Sequence, residues 1–161
     1  MAGTTVRTSA TGVCEVPQRP KQVWRALAVL EPYCSVCDVS YVLGADAGSP
    51  GVGTTFVCAP GRLDGPPAEG APQGEIVEWD PPRVVATRLR LTPETWTTRI
   101  ELAGTGDGGT RVTMTVTHEP TGGSRVVRRL QRGALRRLVQ RTVDAELDKV
   151  PAHVERAASP A

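Results

Sequence analysis

The chain has 161 residues, a formal net charge of +2, 39% hydrophobic residues and 4% aromatic residues. This length fits one domain able to bury a core without disulfides or metals, built mainly from Val, Leu and Ala. The charge is too small to argue for nucleic acid, and no segment approaches the ~20 apolar residues of a membrane span.

In chain order, residues 6–16 are rich in Thr and Val and read as an edge strand weakened at Thr11-Gly12. Pro17-Gln-Arg-Pro20 is a turn. Lys21 to Leu30 follows as a helix, with Val23, Ala26, Leu27 and Leu30 at helical spacing and Pro32 as its stop. Tyr33 to Asp38 reads as a short second helix or a structured loop. Val39 to Leu43 and Thr54 to Ala59 are strands. Residues 60–73 form a long loop rich in Gly and Pro, whose composition predicts mobility. Glu75 to Trp79 and Val84 to Leu91 are strands around the turn Asp80-Pro-Pro-Arg83. Thr95 to Ala103 and Arg111 to His118 form a hairpin over the glycine-dense segment Gly104 to Gly109. That segment is no nucleotide cradle, because no Lys follows it and no helix opens after it.

The hairpin alternates cleanly. Trp96, Thr98, Ile100 and Leu102 share one face, and Val112, Met114, Val116 and His118 share one face of the last strand. Arg99, Glu101, Arg111, Thr113, Thr115 and Thr117 lie opposite. A sheet with one apolar and one polar face is covered on one side only, which excludes a sandwich and a doubly wound fold.

Residues 124–158 read as one long helix with two apolar stripes. Val127, Leu130, Ala134 and Leu138 form the first; Leu135, Val139, Val143, Leu147, Val150 and Val154 form the second. At 100° per residue the two face different sides, so the buried face is expected to rotate between Gly133 and Val139, with a bend there or at Pro151. The arginines from Arg125 to Arg141 oppose the stripes and read as a solvated face; membrane or nucleic-acid contact is the competing reading. A curved sheet closed over by this helix encloses a cavity.

Three phrases carry a resemblance. Glu15-Val-Pro-Gln-Arg-Pro-Lys-Gln-Val-Trp-Arg-Ala-Leu27, Gly74-Glu-Ile-Val-Glu-Trp-Asp-Pro-Pro-Arg-Val-Val85 and Gly109-Thr-Arg-Val-Thr-Met-Thr-Val-Thr-His-Glu119 resemble the first strand and helix, the central hairpin and the last strand of the START-like SRPBCC superfamily. The polyketide cyclase/dehydrase branch is the most similar. The sequence departs from that pattern after Pro32, where relatives often place a Trp and Tyr33-Cys-Ser-Val-Cys37 stands here. The resemblance implies an α+β helix-grip fold. A curved antiparallel sheet of six or seven strands, with two short N-terminal helices, wraps around the C-terminal helix. It also implies an apolar cavity for a lipid, a polyketide or another hydrophobic molecule.

The expected ligand-contact residues are Tyr41, Phe56, Trp79, Trp96, Thr98, Ile100, Met114 and Leu138, although the register around Trp79 is ambiguous. His118 is the candidate general acid/base, against a strand-end histidine satisfied by backbone. Tyr41 adds a hydroxyl able to orient a carbonyl. Cys34 and Cys37 form a Cys-x-x-Cys, but a helix and Pro32 precede them, which is the wrong context for a redox motif. Zinc would need two more ligands, and Cys14 and Cys58 have no spacing that argues for them; His153 lies toward the chain end and carries no assigned role.

No metal or cofactor is therefore expected. The expected protein is a cytoplasmic monomer or homodimer in a single domain, ordered over about residues 5–157, with no signal peptide, no nucleic-acid partner and no stable membrane insertion. Its function is binding of a small hydrophobic molecule. The alternatives are a polyketide cyclase, aromatase or dehydratase using the same cavity, and a chaperone-activator-like interaction module.

Overall fold

The computed structural model describes residues 6–45, 48–91, 94–120 and 124–159. The elements are β1 (Thr8–Val16), α1 (Pro20–Leu27), β2 (Val39–Leu43), β3 (Thr55–Pro60), β4 (Gln73–Asp80), β5 (Val84–Leu91), β6 (Glu94–Gly104), β7 (Thr110–Pro120) and α2 (Arg125–Ala158). The seven strands form one antiparallel sheet in the order β1-β7-β6-β5-β4-β3-β2, so β1 is an edge strand as expected. With α2 against one face, this is the α+β helix-grip architecture implied by the resemblance. Among the described residues, no helix is long and apolar enough to cross a membrane.

The hairpin fixes which face is which. β6 and β7 pair Leu102 with Val112, Ile100 with Met114, Thr98 with Val116 and Trp96 with His118, so the expected inner residues meet side by side. On the other face, Ser9 shares a hydrogen bond of 2.8 Å with Thr117, and Thr11 one of 2.9 Å with Thr115. Arg99 donates to Glu78 at 2.7 Å, and Arg111 to Glu15 at 3.1 Å. The solvent face is thus held by cross-strand polar pairs.

The inner face meets α2 at β1 and β7. Val139, Val143, Leu147, Val150 and Val154 are buried there with Val16, Val23, Leu102, Val112, Met114 and Val116. Gly12 makes the close approach possible. A Cβ on it would stand 2.6 Å from Leu147 Cδ1 and 2.8 Å from Val143 Cγ1. The glycine that weakens β1 as a strand is therefore where the helix seats.

Three expectations are corrected. First, α1 ends at Leu27, with Ala28 donating its N–H to Trp24 O, and does not run on to Leu30 and Pro32. Second, of the two readings of Tyr33–Asp38 the structured loop holds, and the second N-terminal helix implied by the resemblance is absent among the described residues. Cys34 and Val39 exchange both backbone hydrogen bonds, at 2.8 and 3.3 Å, and Asp38 takes φ 53°, which ends any right-handed turn. Third, the first α2 stripe is not buried. Leu130 is 82% exposed, and Val127 and Leu138 are exposed as well. The buried face does not rotate; it begins at Leu135 and Val139, where the sheet comes within reach. α2 is one helix through both Gly133 and Pro151.

Gly12→Val is expected to destabilise the protein by about 1–3 kcal/mol, the cost of overpacking a filled contact. A lower denaturant midpoint at unchanged slope would register it; an unchanged midpoint would mean that the helix does not rest on this glycine.

Candidate functional site

α2 covers β1 and β7 and leaves the inner faces of β2 to β6 partly open. The space between is a cavity of about 520 Å³. Seven of the sequence-derived residues stand on its wall: Tyr41, Phe56, Trp96, Thr98, Ile100, Met114 and Leu138. Tyr41 and Phe56 meet edge to face at 5.8 Å between ring centroids. Phe56 is set by Gly74 on the neighbouring strand, where a Cβ would fall 2.2 Å from the Phe56 ring. Val85, Thr87 and Leu89 continue the wall along β5. Their alternation opposite Arg88 and Arg90 was the readable signal for them.

Trp79 is not on the wall. A β-bulge between Ile76 and Glu78 shifts the register, so that Trp79 pairs with Val85 and turns to the inner face. There it meets Trp24 of α1 edge to face at 5.0 Å and packs the helix onto the sheet. The expected ligand contact is instead an α1 contact.

His118 does not share a chamber with Tyr41. It is 3% exposed and lines a neighbouring pocket of about 420 Å³ with Thr8, Glu94, Pro120 and Leu135. Its ring meets Trp96 edge to face at 4.8 Å. Its Nε2 stands 3.3 Å from Glu94 Oε2 without forming a hydrogen bond. Trp96 Nε1 donates to the same carboxylate oxygen at 3.3 Å. Trp96 and Leu138 border the main cavity; Leu138 borders the neighbouring pocket too, and Trp96 touches His118 there.

The main cavity is apolar along most of its wall and polar at one end. Thr142, Glu146, Val150 and His153 face it from α2 at positions i, i+4, i+8 and i+11, and Cys37 faces it from the turn before β2. That spacing stood in the sequence as a mixed polar stripe beside the valines. Thr142 Oγ1 donates to Leu138 O at 3.0 Å, and Lys149 Nζ donates to Glu146 Oε1 at 2.8 Å. Burial holds the Tyr41 phenol well above its ordinary value, so it stays a neutral donor. Burial, with the Glu146 carboxylate adding to it, pushes the Cys37 thiol up to about 11. Burial lowers His153 below the ordinary imidazole value, which leaves it neutral at pH 7.

The sequence assigns His153 no role, because it lies toward the chain end. In the fold its Nε2 stands 3.4 Å from Cys37 Sγ and its Nδ1 3.8 Å from Cys34 Sγ. The Cys-x-x-Cys turn is closed by the Cys34–Val39 bridge, and Tyr33 Oη donates to Asp38 at 2.7 Å. Arg156 donates to Tyr33 O at 3.1 Å and pairs with Glu31, which ties this turn to the last turns of α2.

The comparisons with known proteins agree with this geometry. A family model described as polyketide cyclase / dehydrase and lipid transport matches residues 7–155, so the chain belongs to that family. The fold is similar to that of an aromatase/cyclase, ZhuI, from a Streptomyces species (16% identity, TM-score 0.68, 96% of this chain and 97% of that one). It is also similar to a norcoclaurine synthase point mutant from Thalictrum in complex with a transition-state analogue (12% identity, TM-score 0.64, 98% and 99%). A third similar structure is Ara h 8.0201 (15% identity, TM-score 0.65, 96% and 100%). At these identities the likeness establishes the fold alone. No curated protein matches the sequence.

Trp96→Ala is expected to weaken binding of a planar apolar fluorescent probe on the order of tenfold, the worth of about one aromatic contact. Equal affinity in a folded variant would remove Trp96 from the ligand contacts.

Proposed function

We propose that this member of the polyketide cyclase/dehydrase and lipid transport family holds a small hydrophobic molecule, polyketide- or lipid-like, between its sheet and α2. The observation that carries the reading is the cavity itself. Its volume of about 520 Å³ lies inside the range of roughly 300–1,000 Å³ typical of small-molecule sites, and aromatic and aliphatic side chains make up most of its wall. Tyr41, Phe56 and Trp96 offer flat faces, and Thr98 and the Tyr41 hydroxyl offer hydrogen bonds to orient a carbonyl.

A cyclase or aromatase activity is the second reading, and one observation favours it. A pure carrier needs an apolar lining, whereas here Tyr41, Glu146 and His153 bring titratable groups to one end of the cavity. Ring closure of a poly-β-ketone needs a folded substrate, excluded water and one or two groups that move protons. The likeness to an aromatase/cyclase is in keeping with this use of the cavity. The open cavity counts against the chaperone-activator-like module, which expects a collapsed one; the exposed Val126, Val127 and Leu130 remain its support.

Native mass spectrometry of the protein purified from its own source tests the binding reading. The expected spectrum contains a complex that releases an apolar small molecule on activation. Only apoprotein, together with no uptake of added apolar probes, would overturn it. Incubation with a synthetic poly-β-ketone thioester separates the second reading. Cyclised product above the buffer rate supports an enzyme, and the buffer rate alone leaves a binding protein.

A further inference from the structure

We infer that Cys34, Cys37 and His153 form a binding site for a zinc ion, with the fourth coordination position facing the cavity. One ligating atom from each of the three residues lies within 4.8 Å of the others. Tetrahedral zinc with Zn–S near ~2.3 Å and Zn–N near ~2.0–2.1 Å requires a sulfur-to-nitrogen separation of roughly 3.5 Å. The Cys37 Sγ to His153 Nε2 distance is 3.4 Å. The Cys37–His153 pair thus already has the spacing of two zinc ligands, and the Cys34 sulfur, now 3.8 Å from His153 Nδ1, has to draw in by a small shift to complete the set.

Donor chemistry points to the same ion. Two thiolates and an imidazole are the ligand set of zinc and other borderline-soft metals, and a poor one for calcium or magnesium. The two cysteines sit three positions apart in a tight turn, which presents both sulfurs to one side. α2 delivers the third ligand from 116 positions further along the chain.

The surroundings hold these ligands in place. Arg156, one helical turn after His153, bonds the backbone of Tyr33 and pairs with Glu31. The Arg62 guanidinium lies 4.0 Å over the Tyr33 ring, and the Cys34–Val39 bridge closes the turn. Such supporting contacts are what keep metal ligands oriented before the ion arrives. A pair of thiols serving only as core filling would need none of this alignment on an imidazole.

Cys37 and His153 both line the cavity. An ion bound between them therefore offers its open position to whatever the cavity holds, or to the Glu146 carboxylate on the same wall. This site does not depend on the identity of that molecule. Zinc uptake and binding of an apolar probe can fail separately.

The test uses the untagged full-length protein, reduced and kept free of oxygen, titrated with Zn2+ alone and with Co2+ alone. The expected stoichiometry is one ion per chain. The Co2+ form should show the thiolate-to-cobalt charge-transfer band and the strong visible absorption of a tetrahedral site. Loss of an outer-shell partner already costs ~10–100-fold in metal affinity, so Cys37→Ser and His153→Ala should each cost at least ~100-fold. Cys14→Ser, a thiol outside the group, should bind as the unmodified protein does. No uptake by the unmodified protein, a Co2+ spectrum lacking the charge-transfer band, or equal affinity in the folded Cys37→Ser and His153→Ala variants would overturn the site. The Co2+ spectrum of the unmodified protein decides the matter even if a variant does not fold.

Discussion

Everything in this molecule depends on how closely α2 rests on one side of the sheet. Val143 and Leu147 sit where the backbone of Gly12 is bare, and no other residue type would let them come as near. The helix is therefore pinned to β1 and β7 and to α1, while α1 meets β6 and, through Trp24 and Trp79, β4, so that much of the inner face of β2 to β6 is left uncovered by α2. A sheet twists as it grows, so strands far from the docked edge curl around the helix and stand off from it. The cavity is the volume left by that geometry. It needs no special residue to open it, only an absence of large side chains filling it. The apolar wall and the low aromatic content of the chain fit together in this respect: Tyr41, Phe56 and Trp96 supply flat contact without closing the space.

The same docking explains the uneven chemistry of the wall. Most of it is aliphatic or aromatic, and the ionisable groups gather where the C-terminal part of α2 crosses the turn before β2. A low-dielectric setting raises the cost of charge, which is why the Tyr41 and Cys37 protons are held tightly and His153 stays neutral. Neutral, polar and confined groups of this kind can orient a carbonyl. His118 belongs to a different neighbourhood, in contact with Trp96 and close to Glu94, and any chemistry it performs would take place in the adjoining pocket.

The strands, the hairpin faces and the long helix were legible in the sequence because each rests on a local period. Val112, Met114 and Val116 alternate with threonines, and a strand that alternates has one buried face whatever covers it. What failed were expectations that needed a particular partner to be known. The stripe of Leu130, Ala134 and Leu138 has helical spacing, but periodicity cannot say whether a sheet lies within reach, and there it does not. The bulge before Trp79 does bring it to the inner face, but periodicity cannot show that Trp24 of α1 covers it there and keeps it off the cavity wall. The second helix gave way to a turn because Cys34 and Val39 pair instead. The approach of His153 to Cys34 and Cys37 was invisible, since only the whole fold joins the start of the chain to its end.

The inner and outer faces of β6 and β7 give the most direct test of the cavity as the binding site. Backbone amide shifts can be followed by NMR while a planar apolar probe is titrated in. If the molecule binds between sheet and helix, shifts should concentrate at Trp96, Thr98, Ile100 and Met114 and at Thr142 on α2. The amides of the outward Ser9, Thr11 and Arg111, and of the exposed Leu130, should stay close to their starting positions. Shifts centred on Leu130 and Val126, or spread over the outer threonine face, would contradict a buried site and place binding on the surface.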